Sequence, residues 1–354
     1  NLLHIIDDQY VDSVNIDELV DKAIPEILSE LDPHSVYISA KDVQLATDDL
    51  KGSFSGVGIE FTIRQDTLRI QNVIKDGPAD KAGLLAGDKV VSINGKSFVG
   101  KDVTNEEAMH RLKGPKDSKV KIGVKRYGEK GVKMFTVTRG DIAVKSVSAA
   151  YMLNDTTGYI RIKSFGERTY AEMLAALQTL NIRGADHLVI DLRDNGGGIL
   201  ESAVQMANEF LPKNRLIVYT QGRKSPRVNY RSDGKGSYQH IPMVVLINEG
   251  SASAAEIFAG AMQDNDRATI VGRRSFGKGL VQQQIQFNDG SLIRLTIARY
   301  YTPSGRCIQK PFKPGDNADY ENDILTRYQH GEFFSQDSIK HEGPAYHTVN
   351  GRTV

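Results

Sequence analysis

Ser253 and Lys278, 25 residues apart, are the pair whose types could do covalent chemistry. Ser253 lies in Asn248-Glu249-Gly250-Ser251-Ala252-Ser253-Ala254-Ala255-Glu256, which follows an apolar run and opens a helical pattern. A turn of small residues from strand to helix presents a hydroxyl at a helix N-terminus. Free N–H groups and the helix dipole there favour developing negative charge. Ser253 with Glu256 three positions on is also a legitimate capping box, so this segment alone decides nothing. Lys278 shifts the balance. It sits in Ser275-Phe276-Gly277-Lys278-Gly279 between two expected strands. A surface lysine is ionised and accepts no proton, whereas burial beside a serine would supply a neutral amine as general base. The serine would then attack a peptide carbonyl to give an acyl-enzyme that water resolves. Gln282 could orient the amine through its amide oxygen, or be an ordinary outward strand residue.

Such chemistry needs donors where charge appears on the tetrahedral oxygen. The N–H of Ala254, beside the serine, is one. Asp191-Leu192-Arg193-Asp194-Asn195-Gly196-Gly197-Gly198 offers the other at the end of an expected parallel strand, with Gly197 or Gly198 as the donor. Open α/β sheets place ligands at such strand ends. A nucleotide loop is the rival for a glycine-rich stretch, but no GxxxxGK[ST] accompanies Lys278.

A separate constellation, Gly56-Val57-Gly58-Ile59, sits where a loop becomes a strand. Glycines let successive N–H groups converge on an anion, and the following strand can accept an added peptide strand. Together they would hold a chain terminus by its carboxylate; a plain glycine hairpin is the simpler alternative.

Three regions must position these groups. Residues 1–53 have apolar residues at three-and-four spacing and read as helical, with Pro25 opening a second helix and Leu31-Asp32-Pro33-His34-Ser35 closing the segment as a turn. That region is expected to dock without chemistry of its own. Residues 54–140 read as a small β-rich module with a helix over 104–112. From 141 to 354 strands and helices alternate, favouring a mainly parallel sheet. Its strands are expected at 157–162, 187–192, 243–248 and 268–271, and its helices at 170–180, 200–210 and 254–263. A hairpin pairs 281–287 with 292–300 across Asn288-Asp289-Gly290. Lys213 to His240, basic and glycine-dotted, reads as an exposed excursion, and the stretch from Lys310 has no clear period.

Composition narrows the rest. The 354 residues carry 45 Lys+Arg against 44 Asp+Glu, a formal charge of +1, which argues against a nucleic-acid partner. One cysteine, Cys307, excludes an internal disulfide framework or a thiolate metal cage. There is no HExxH, and no metal or cofactor is expected. No apolar run reaches the length of a membrane span. Of the histidines His4, His34, His110, His187, His240, His330, His341 and His347, none lies in a glycine-rich block, so a histidine base is the weaker chemistry.

Gly77-Pro78-Ala79-Asp80-Lys81-Ala82-Gly83-Leu84, Gly87-Asp88 and Ile93-Asn94-Gly95 resemble a PDZ domain of the bacterial protease type, which implies binding of a C-terminal peptide. With Leu31–Ser35, Asp191–Gly198, Gly250–Glu256, Gln263–Ala268 and Ser275–Gln282, the chain resembles the C-terminal processing (tail-specific) peptidases. The resemblance implies Ser253 as nucleophile, Lys278 as base and Gln282 as third member. It implies an α/β, mixed α+β fold: a crotonase-like protease core with an inserted PDZ domain and N-terminal helices. It further implies export to the periplasm or cell envelope, protein or peptide substrates with accessible C-termini, and scope for an oligomer. Three departures accompany it: Ala255 replaces a serine common at that place, the PDZ pocket residues match only loosely, and the glycine-rich block usual after Pro303-Ser304-Gly305-Arg306 is missing, so a C-terminal part is expected to be absent. A start at Asn1 suggests processing or truncation. A catalytically silent peptide receptor on a protease-like body is the alternative from another class.

Overall fold

A computed structural model of the chain describes residues 2–40, 42–43, 46–47, 53–101, 103–335, 338–339 and 344–354. The helical expectation at 41, 44–45 and 48–52, and His341, lie outside the described residues. The backbone divides into two compact units, residues 1–43 with 146–354, and residues 44–145.

The larger unit is built on a sheet of β10 (Val147–Met152), β11 (Thr157–Ile162), β12 (His187–Asp191), β15 (Met243–Ile247) and β16 (Thr269–Gly272), in that spatial order. β10 is antiparallel to β11; the remaining neighbours are parallel. The mixed α/β class expected from the alternating pattern is therefore present. Parallel strands need crossovers, and α5 (Thr169–Ile182), α6 (Leu200–Phe210) and α7 (Ala254–Asp264) supply them. Ile160, Ile162, Leu188, Ile190 and Val245 from the strands are buried with Met173, Leu177, Met206, Phe210, Phe258 and Met262 from the helices in one core. The loops that matter leave β12 and β15 at adjacent C-terminal ends.

A second, antiparallel sheet runs β1 (Val36–Ile38), β18 (Leu292–Tyr301), β13 (Leu216–Gln221) and β14 (Val228–Arg231), with β17 (Leu280–Gln286) also on β18. Here the structure corrects the excursion expected over 213–240. Leu216-Ile217-Val218-Tyr219-Thr220 is a β-branched, largely buried run whose strand signal was masked by the basic, glycine-rich residues around it. The segment beyond Lys310 likewise holds a helix, α8 (Asn317–Gln329), begun by Asp316, whose side chain accepts the Asp319 N–H. Its polar outer face hides the period, yet Tyr320 and Arg327 are buried.

At the N-terminus, α1 (Leu2–Gln9) precedes α2 (Ile16–Ser29), capped by the Asn15 side chain on the Glu18 N–H. Pro25 lies inside α2 and does not start a new helix. Pro25 and Asp21, whose carbonyl loses its donor, are both exposed, so water can serve that carbonyl.

The smaller unit has its own core of Leu68, Ile70, Val90, Ile93, Val120, Ile122, Val124 and Val137. β3 (Ile59–Arg64), β4 (Thr67–Val73), β5 (Lys89–Ile93), β7 (Lys119–Lys125) and β8 (Lys133–Thr138) pair in that order, with β6 (Lys96–Ser97) beside β5. The short helix α3 (Pro78–Ala82) and α4 (Asn105–Leu112), capped by Thr104, complete it. β2 (Ser53–Gly56) pairs with β9 (Gly140–Ala143), bringing the two ends of the unit together.

Candidate active site

The turn from β15 into α7 carries Ser253 with φ 53° and ψ −113°, a left-handed-side conformation unusual for a residue with a side chain. A cramped turn of this kind lifts a hydroxyl clear of both flanking elements. Four hydrogen bonds brace it. Ser251 Oγ donates to the Leu192 carbonyl at 2.7 Å, and the Ala252 N–H to the Asn195 carbonyl at 2.9 Å. Asn248 exchanges hydrogen bonds with Asp194, its Oδ1 accepting the Asp194 N–H at 2.8 Å and its Nδ2 donating to Asp194 Oδ1 at 2.7 Å. The loop after β12 is thereby tied to the serine turn.

Gly197 makes that contact direct. A Cβ there would fall 2.6 Å from the Ala252 carbonyl oxygen, 2.7 Å from Ser253 Cβ and 2.9 Å from the Ala254 nitrogen, and its φ is +96°. Only glycine fits. The Gly197 N–H itself donates to Asn195 Oδ1 at 2.8 Å, so it is already used. Among the described residues the Gly198 N–H has no partner, and Ala254, first in α7, has no intrahelical acceptor for its own. Asp191, at the root of the loop, is buried and accepts Tyr159 Oη at 2.6 Å and both the Nε and Nη2 of Arg193 at 2.9 and 2.7 Å. Burial works to raise its carboxyl, but those donors hold it below the usual carboxylate range.

Glu256 joins the serine to the lysine. Its Oε2 accepts the Ser253 N–H and the Lys278 N–H, each at 2.8 Å. Its Oε1 accepts Ser275 Oγ at 2.6 Å and the Gly277 N–H at 2.7 Å. The backbone nitrogens of Ser253 and Lys278 share one acceptor atom, so they cannot be further apart than two hydrogen-bond lengths. The Phe276 N–H on the Ser251 carbonyl, at 2.9 Å, closes the same seam. Burial pushes the Glu256 carboxyl up, against the pull of its four donors. Sequence reasoning saw in Glu256 only the third residue of a capping box. A carboxylate among the small apolar residues of a buried helix was the signal that it must collect donors.

Lys278 is itself substantially removed from water, which lowers its amine below the ordinary lysine value, with the nearby Arg294 charge acting the same way. From the opposite side of the loop, the Lys310 N–H donates to the Gly277 carbonyl at 2.9 Å, and Arg327 of α8 donates to the carbonyls of Arg274 and Ser275 at 2.6 and 3.2 Å.

Gln282, on β17, donates its Nε2–H to the backbone carbonyl of His34. The His34 ring meets Tyr320 of α8, Nε2 to Oη at 2.9 Å, with the rings edge to face. Burial first, then the Lys278 charge, hold the His34 imidazole down to about 4, so it is neutral near physiological pH. The N-terminal segment expected to lack chemistry thus reaches the lysine's surroundings. Among the described residues, no group of three His, Cys, Asp or Glu side chains is placed to hold a metal ion. No described helix is long and apolar enough to cross a membrane.

In the smaller unit, Gly56 ends β2, Val57 is buried, Gly58 takes φ +77° and Ile59 opens β3. The Val57 carbonyl accepts the Ala79 N–H at 2.8 Å and the Gly58 carbonyl the Ile74 N–H at 3.0 Å. In trans peptides this turns the N–H groups of Gly58 and Ile59 away from those partners. Among the described residues β3 pairs only with β4, which leaves its other edge open there to an added strand.

Comparison with known proteins agrees with this layout. Residues 156–320 match peptidase family S41, and residues 55–138 match the PDZ domain. The carboxy-terminal-processing protease of Bartonella bacilliformis is 41% identical over 307 residues, covering 85% of this chain and 69% of that protein. The carboxy-terminal processing protease CtpB of Bacillus subtilis is 36% identical over 311 residues, covering 86% and 64%. A solved structure of an S41 protease from Bacteroides fragilis aligns over 93% of this chain and 97% of its own with a TM-score of 0.52. At 16% identity that likeness is one of fold alone. The chain spans about two thirds of the length of the two curated relatives.

Proposed function

The chain belongs to peptidase family S41, and on that footing we propose that it is a serine endopeptidase that cuts proteins at or near their C-terminal tails. The observation that carries this reading is the Glu256 carboxylate, one oxygen of which accepts the backbone N–H of both Ser253 and Lys278. In this reading the neutral Lys278 amine takes the Ser253 hydroxyl proton as Oγ bonds to the scissile carbonyl carbon. The N–H groups of Ala254 and Gly198 receive the oxyanion. Collapse of the intermediate breaks the C–N bond, and the Lys278 ammonium gives its proton to the departing amine. A water, deprotonated by the same amine, then bonds to the acyl carbon, the carbon–Oγ bond breaks, and the Lys278 ammonium returns its proton to Ser253 Oγ. Gln282 orients the amine through Oε1. The Gly56–Ile59 loop and the open edge of β3 receive the substrate's C-terminus. An exported, cell-envelope setting accompanies this reading, tested by fractionating cells that make the full-length protein.

Cleavage of an unstructured protein by wild type, Ser253→Ala and Lys278→Ala tests the chemistry. Loss of at least about a thousandfold in kcat in both variants is expected for a pair that acts as a unit. Cleavage surviving in Lys278→Ala would reject the lysine base, and tail binding without any cleavage by wild type would favour the silent receptor.

A further inference from the structure

We propose that the Asp32-Pro33-His34-Ser35 turn is a positioning element of the active site, whose His34 carbonyl fixes the direction in which the Gln282 amide faces. The inference rests on the reading of Gln282 as the residue that orients Lys278. A glutamine amide has an accepting and a donating end, and rotating it by half a turn exchanges them. A backbone carbonyl can only accept. With Nε2 of Gln282 on the His34 carbonyl, the flipped amide would set two acceptor oxygens against each other. The carbonyl therefore commits Oε1 to the other side, as an acceptor for the lysine amine. A side chain on an isolated strand would have no such preference.

The carbonyl is only as well placed as the turn that bears it, and that turn is over-determined. Asp32 is buried, and its Oδ1 accepts the N–H of His34 at 2.9 Å, the N–H of Ser35 at 3.0 Å and the hydroxyl of Thr296 at 3.0 Å. Its Oδ2 accepts Ser35 Oγ at 2.6 Å, and that hydroxyl in turn accepts the Thr296 N–H at 3.1 Å. Thr296 is the cross-strand partner of Gln282 in the β17–β18 ladder. The turn is thus bolted to the residue directly beside the one it orients. On its far side, Tyr320 holds the His34 ring and is itself packed edge to face against Phe276, two residues before Lys278. Neighbouring β1 adds Val36 opposite Arg294, continuing the attachment along β18. Five hydrogen bonds around one buried aspartate, in a segment with no other evident task, are what a precisely held carbonyl needs.

A positioning role predicts coupling to Gln282 that a merely structural role would not give. Asp32→Asn keeps the Oδ1 acceptor, removes the charge and sets an NH2 donor where Oδ2 accepted the Ser35 hydroxyl; Ser35→Ala removes the bond from the Thr296 N–H. Each is measured alone and combined with Gln282→Ala, by steady-state cleavage of an unstructured protein and by thermal unfolding. The expected result is a kcat lower by about tenfold to a hundredfold in Asp32→Asn with KM little changed, because small misplacements at a reacting group cost this much. Gln282→Ala should lose a similar factor, and the double variant should be no slower than the worse single. Losses that multiply would overturn the proposal, as would wild-type kcat in a folded Asp32→Asn. Should Asp32→Asn fail to fold, Ser35→Ala decides by the same criteria. Wild-type kcat in Gln282→Ala would instead remove the underlying reading of Gln282, a failure distinct from an impaired Gln282→Ala beside an unimpaired turn.

Discussion

A lysine amine can take a proton from a serine only in the fraction of molecules where it has none of its own, so the surroundings of Lys278 carry the chemistry. Burial and Arg294 both lower its affinity for protons. The sign follows: kcat/KM should rise with pH along a limb centred below the ordinary lysine value, and a pH–rate profile measures it. A limb at or above about 10.4 would contradict a secluded base. The same depression has a stability consequence. Between the folded and unfolded values the unfolded chain holds more protons on this lysine, so the contribution of Lys278 to stability rises with pH across that window. Below the window, the cost of the buried ammonium is fully present. Lys278→Met should therefore raise the melting temperature near neutrality, and the gain should shrink as the pH is raised. Glu256 predicts a different failure. Glu256→Gln leaves an amide whose NH2 faces backbone donors, so two of the four bonds that seat Ser253 and the 275–278 loop are lost. A kcat loss of about a hundredfold is expected, of the order that misplacing reacting groups costs, read by the same cleavage assay.

Elements set how close such residues come. Adjacent C-terminal ends of β12 and β15 bring the glycine loop against the serine turn, and the contact is too tight for any side chain at Gly197. Gly197→Ala should abolish cleavage while the smaller unit still binds a tail peptide, since its core is separate; peptide titration beside the cleavage assay checks both. Much of this was legible in the residues. Apolar runs such as Leu188–Leu192 and Met243–Ile247, each followed by glycine and small residues, announce strands that end in working loops. Local pattern also exposed Ser253, in a turn of small residues that opens a helix, and Lys278, between Gly277 and Gly279. What stayed hidden depends on contacts between distant segments. Arg327 holds the lysine loop from α8, and His34 reaches Gln282 from 248 residues away, neither of which leaves a local period. Leu216–Gln221 failed for another reason: its strand propensity was outweighed by the charge around it.

At the scale of the whole molecule, the chain order interrupts one unit with another. The larger unit resumes at residue 146 after leaving at 43, and every bond described at the candidate active site lies within it. Within the smaller unit the first and last strands, β2 and β9, pair antiparallel, with Gly56 opposite Gly140. Adjacent paired ends are what a short turn can bridge. Replacing residues 57–139 with a two-residue Asn-Gly hairpin turn should therefore leave the larger unit folded, since its core draws on no residue of the excised part. Cleavage of short unstructured peptides should persist, and discrimination between a substrate's own C-terminus and an altered one should vanish, because the proposed tail receptor has gone. Comparing kcat/KM for a matched pair of substrates differing only in their last residues, before and after the replacement, separates these effects. Unchanged discrimination would move tail recognition into the larger unit, and loss of all cleavage in a folded variant would make the smaller unit a requirement for catalysis itself.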